Sequence, residues 1–124
     1  MYKFIIPFVL IIAAIFLTIK FANKIPNKCL SAVGTATVAV KDDSFSPQDI
    51  TIKKCTKVVF KNETKVSVWP ASDLHPTHGI YPEFDPLKGY GPGESWSFVF
   101  NKIGRWRYHN HLKPEVRGTI TVTE

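Results

Sequence analysis

From Thr35 to the end of the chain, apolar and polar residues alternate with a period of two, in short runs broken by proline and glycine. In "TATVAVK" Ala36, Val38 and Val40 share a face, and in "DITIK" Ile50 and Ile52 do so. Trp96, Phe98 and Phe100 share one in "SWSFVFN", and Ile120 and Val122 in "TITVT". "KVVFKN" is a more fully apolar run, and "RWRYH" lies between the last two. Successive side chains of a strand point to opposite faces, so each run buries one side and wets the other. Short half-buried strands joined by Pro/Gly turns predict an all-β antiparallel sandwich. The 124 residues suffice for one such domain, and 44% hydrophobic content suffices for its core.

The chain before Thr35 is different. "FIIPFVLIIAAIFLTI", residues 4–19, is uncharged and flanked by Lys3 and Lys20. As a helix it would reach roughly 24 Å, a little short of a ~30 Å hydrocarbon core. Tyr2 and Phe21 extend it, and the flanking lysines can snorkel to the head groups. No small-x-small cleavage site follows closely, so residues 1–22 are expected to be an uncleaved membrane anchor in contact with lipid through 4–19, with a signal peptide as the competing reading. Residues 23–34 then form a short linker to a domain spanning 35–124.

The net charge of +6 follows this division. Residues 1–28 hold four lysines and no acid, leaving 12 basic and 10 acidic residues for the rest. A basic membrane flank on a nearly balanced domain offers no nucleic-acid surface, which needs a concentrated patch with supporting motifs. Cys29 and Cys55 have neither a Cys-x-x-Cys partner nor a neighbouring histidine. Such an isolated pair predicts a disulfide in a domain outside the cytoplasm; two free buried thiols are the alternative.

Residues 70–94, "PASDLHPTHGIYPEFDPLKGYGPGE", break the rhythm, with five prolines and no clean period. Loops of this length in compact domains are commonly functional. All four histidines of the chain fall in two tight pairs, His75/His78 in this loop and His109/His111 in "HNH" near the end. His109 and His111 are two apart and are expected on one strand face; His75 and His78 have a spacing that can chelate one ion. Asp73, Glu83 and Asp85 in the same loop are expected to be solvated carboxylates or turn caps, the alternative being partners that orient a ligand histidine. Trp69, Trp96 and Trp106 are expected in the core. "GYGPGE" lacks the Gly-Lys-Ser/Thr of a phosphate loop and leads into a strand.

"FSPQDITI" at 45–52, "VVFKN" at 58–62, "PGESWSFVF" at 92–100, and Gly104, Trp106, Tyr108, Pro114 and "GTITV" at 104–122 resemble the cupredoxin, or blue-copper-like, family. The resemblance covers residues 35–124 and implies a Greek-key β-sandwich with a metal site at one end. The family's four usual ligand places fall here on Val68, Asn110, Lys113 and Val116. None can serve, and without a thiolate a blue-copper centre cannot form. "YHNH" also resembles the Tyr-His-x-His strand of multicopper oxidases, where alternating histidines bind copper on the domain's outer face. That likeness implies His109 and His111 as principal ligands, completed by His75 and His78. Copper is the expected metal, with zinc its competitor. The expected function is a membrane-anchored, extracytoplasmic copper-binding module for copper handling or redox support, working with a copper donor or acceptor protein. Its alternatives are a copper oxidase or reductase with a site shared between subunits, and a metal-free interaction domain.

Overall fold

The computed structural model describes residues 28–124. The expected membrane segment and residues 23–27 of the linker lie outside the described residues, among which no helix is long and apolar enough to cross a membrane. The described residues form eight strands: β1 (Gly34–Val40), β2 (Phe45–Ser46), β3 (Asp49–Lys53), β4 (Thr56–Asn62), β5 (Pro70–Ser72), β6 (Ser95–Val99), β7 (Gly104–Asn110) and β8 (Lys113–Thr123). They form two four-stranded sheets, ordered β2-β1-β4-β6 and β3-β8-β7-β5. The expected all-β sandwich is present, but it is not purely antiparallel. β1 runs parallel to β4, and β3 parallel to β8. A parallel pair needs a crossover connection. Between β1 and β4 that crossover is β3 itself, which lies in the other sheet.

The period-two faces meet where the sequence places them. Val38, Val40, Val58 and Phe60 from one sheet and Ile52, Tyr108, Val116, Ile120 and Val122 from the other are buried together. Two further plugs come from the aperiodic segment. Tyr81 and Phe84 are fully buried, and Phe84 lies 5.5 Å from Phe60 in one sheet and 5.6 Å from Tyr108 in the other, measured between ring centroids. Trp96 stacks almost parallel to Phe84, and Trp106 packs against Tyr81. The loop also contributes β5, which pairs with β7 so that Ala71 stands opposite His109.

Cys29 and Cys55 are disulfide-bonded, as the sequence predicts, with Cα atoms 5.5 Å apart. The bond joins the domain's start to the turn between β3 and β4, where the Cys55 amide donates to the Phe100 carbonyl at 2.7 Å. Closing a loop with a sequence separation of 26 removes chain entropy from the unfolded state, worth about 3–4 kcal/mol.

Gly118 in the "GTITV" run marks a close approach. A Cβ there would lie 2.5 Å from the Gln48 carbonyl oxygen and 2.7 Å from the Tyr108 hydroxyl. The first is backbone of the neighbouring chain segment and cannot step aside. Gly118→Ala is therefore expected to destabilise the domain by about 1–3 kcal/mol through overpacking. The change should appear as a lower urea midpoint with an unchanged slope.

Candidate metal centre

The site is built on the outer face of the β3-β8-β7-β5 sheet. Along β7, Trp106 and Tyr108 face the core, so the period of two turns Arg105, Arg107 and His109 outward. The strand ends at Asn110 after a register shift between His109 and Asn110. His111 therefore sits on the following turn, one residue beyond the strand on which it was expected. Asn110, in the place of the family's cysteine, fixes that turn. Its Oδ1 accepts from the Trp69 amide at 2.9 Å and the Leu112 amide at 3.2 Å. The His111 amide donates to the Trp69 carbonyl at 2.7 Å. His109 and His111 thus reach the same cluster, with ring centroids 6.3 Å apart.

The loop lays the other two histidines over this strand end. The Asp73 amide donates to the Arg107 carbonyl at 3.0 Å, and the Ile80 amide to the Asp73 carbonyl at 2.9 Å. The Tyr81 amide donates to the Ser72 hydroxyl at 2.9 Å. Held in this way, His75 lies 5.3 Å from His109 and 4.8 Å from His111, between ring centroids. His78 lies 5.2 Å and 4.9 Å from the same two rings.

His75, His109 and His111 each offer a ring nitrogen, all within 4.8 Å of one another. Tetrahedral coordination at ~2.0–2.1 Å needs nitrogens about 3.3 Å apart, so the rings must close by at most about 1.5 Å. Ring rotation at His75, which is exposed, can supply that. Hydrogen bonding selects the donor atoms. His109 Nδ1 lies 2.8 Å from Asp73 Oδ1, and a carboxylate only accepts, so Nδ1 carries the proton. The remaining nitrogen, His109 Nε2, is fully buried with no hydrogen-bond partner. A buried lone pair left in that state costs about 1–3 kcal/mol; a metal ion would use it. His78 is bound at both nitrogens, with Nδ1 2.6 Å from Asp85 Oδ2 and Nε2 3.0 Å from His111 Nδ1. In the neutral ring its Nε2 accepts from His111 Nδ1–H, which leaves His111 Nε2 free to ligate. The residues present fit a nitrogen-preferring metal.

Asp73 and Asp85 are therefore not solvated loop carboxylates; each is buried or nearly so and holds a histidine. Glu83 does follow that expectation, pairing at the surface with Lys102 at 2.9 Å. Trp96 and Trp106 pack against the core, whereas Trp69 leaves it. Its ring lies 4.5 Å from His111, and its Nε1–H donates to Asp85 Oδ1 at 2.8 Å. Burial pushes the Asp85 carboxyl up, but hydrogen bonds from His78, the Leu87 amide and Trp69 outweigh this and hold it below its ordinary value. The family's other ligand places are closed: Val68 and Val116 are in the core, and Lys113 pairs with Asp43.

Neither a protein-family profile nor a curated protein sequence matches the chain. Solved structures do. A reduced tryptophan-to-tyrosine variant of amicyanin aligns with a TM-score of 0.62 at 18% identity, covering 76% of this chain and 87% of that one. A proline-to-phenylalanine variant of reduced amicyanin gives 0.61 at 21% identity over 76% and 87%. The domain is cupredoxin-like. A Cu-containing nitrite reductase from Thermus scotoductus SA-01 gives 0.59 at 26% identity, over 78% of this chain. This chain spans only 23% of that nitrite reductase.

Burial holds both His109 and His111 below the ordinary histidine value, opposed at His109 by Asp73 and aided at both by the other histidines. A folded-state value below the unfolded one means that the unfolded chain binds more protons between the two. The stability this contributes is present above about pH 6.5 and is lost as pH falls through the lowered folded values. Urea unfolding of the metal-free protein should show it, with the loss reduced in His109→Gln.

Proposed function

We propose that this protein is a membrane-anchored, extracytoplasmic copper-binding module. It would hold copper through histidine nitrogens, for copper handling or redox support. The observation that carries the reading is His109 Nε2, a buried unpartnered lone pair beside the donor nitrogens of His75 and His111. Imidazole suits copper, and the first-row stability order favours copper over zinc at a nitrogen site. Bound copper would supply one-electron and Lewis-acid chemistry. The chain's own part is to present neutral imidazoles: Asp73 fixes the tautomer of His109, and Asp85 that of His78.

An exposed ligand, His75, and rings that must close around the ion support uptake and release over fast electron transfer, which favours a rigid site. A copper donor or acceptor protein is the partner this implies, and membrane lipid would contact residues 4–19. The enzymatic alternative, a copper oxidase or reductase with a site completed by a second subunit, draws on the likeness to the nitrite reductase.

His109→Ala and His111→Ala should each abolish tight copper binding, and His75→Ala and His78→Ala should weaken it about tenfold to a hundredfold. Chelator competition with parallel zinc titration, metal analysis and solution mass measure all of this together. One copper per monomer is expected. Copper held only by an oligomer would favour the enzyme, and no copper at all the interaction domain. The copper form should also lack intense thiolate-to-copper absorption, because Cys29 and Cys55 are both disulfide-bonded.

A further inference from the structure

Asp73 is shared between the histidine cluster and two arginines. Its side chain is 3% exposed. Besides accepting from His109, it lies 3.2 Å from Arg117 Nη1 through Oδ2 and 3.4 Å through Oδ1. Arg107 Nε stands 3.8 Å from Oδ2. Arg117 pairs with His109 across β7 and β8, and Arg107 precedes His109 by two on the same face, so the sheet itself holds both guanidiniums beside the carboxylate. Both arginine side chains are exposed, whereas the carboxylate they flank is buried.

A carboxylate that accepts the N–H of a ligand histidine makes the opposite nitrogen a stronger donor. A guanidinium bonded to the same carboxylate draws that charge away. We infer that Arg117, assisted by Arg107, is a positioning residue for the metal. Through Asp73 it orients His109 and weakens its donation, shifting the site towards Cu(I) over Cu(II). This rests on the copper reading. Both effects of an arginine have one sign: it lowers the donor strength of His109, and it adds a positive charge near the ion. Arg105 is the charge control, because it lies on the same face two residues before Arg107 on β7 and makes no bond to Asp73.

The test measures Cu(I) and Cu(II) affinities of the full chain by chelator competition, with the reduction midpoint as an independent reading. Arg117→Gln should raise the Cu(II)-to-Cu(I) affinity ratio about tenfold, a fall of ~59 mV for one electron. Arg107→Gln should give a smaller change in the same direction, and Arg105→Gln little. Arg117→Lys keeps the charge without the forked geometry and should recover part of the effect. In an Asp73→Asn background, Arg117→Gln should add only the small through-space part, no larger than the effect of Arg105→Gln. In metal-free protein, the His109 Nδ1–H resonance should move in Arg117→Gln and stay in Arg105→Gln, a reading that survives if Asp73→Asn does not fold. Equal shifts for Arg105→Gln and Arg117→Gln, or an undiminished shift without Asp73, would overturn the inference while leaving the copper site intact. A parent protein that binds no copper would instead overturn the proposed function, and an unmoved His109 resonance would show that the arginine does not act through Asp73.

Discussion

Phe84 is the pin on which the centre depends. Beyond the short β5, a segment of more than twenty residues with four prolines has no regular ladder to hold it. Its order comes from burying two aromatic rings between the sheets. Phe84 packs on Phe60, Trp96, Phe98, Phe100 and Tyr108, and Tyr81 on Phe98, Phe100 and Trp106. Truncating such a ring removes about 3–5 kcal/mol of packing. The backbone between these plugs and β5 is short, so Asp73, His75 and His78 inherit the rigidity of the core. Without those contacts, two histidines and both orienting carboxylates would belong to a wandering loop, and assembling them would cost the entropy that the fold has already spent.

The legible and illegible parts of the sequence divide along this line. Alternation identified the strands because it records burial directly, and Val38, Ile52, Phe60, Ile120 and Val122 lie on the faces it assigned. The disulfide was legible because only two cysteines exist. Parallel pairing was not, since a strand's period is the same whichever way its neighbour runs. Within the loop, period carries no information, and the pairings of Asp73 with His109 and Asp85 with His78 depend on the path of the backbone. Even so, one signal was there. Tyr81 and Phe84 are large aromatic residues in a proline-rich stretch, and solvent-exposed loops seldom spend aromatics in this way.

Asn110, at the place where the resemblance puts a cysteine, has a structural role of its own. With valines at 68 and 116, the inner end of the sandwich becomes ordinary core. Asparagine at the cysteine place then does backbone work, tying the chain at Trp69 and Leu112 to one amide oxygen. That tie turns the chain after β7 and delivers His111 to the outer face, where His109 already points. The same residue that makes a thiolate centre impossible thus helps to form the nitrogen cluster.

Moving the cluster outward changes what the protein must supply. An inner site is dried by the core around it, so its ligands are desolvated by packing alone. On the outer face only the loop excludes water, and it does so unevenly: His109 is fully buried, His111 partly, and His75 is exposed. The buried member is the one with the fixed tautomer and the bare nitrogen, and the exposed member is free to rotate. On the copper reading, this gradient gives the ion an order of approach. His75 would offer an ion a ligand that costs little to desolvate, and His109 would offer a nitrogen whose own burial is otherwise uncompensated.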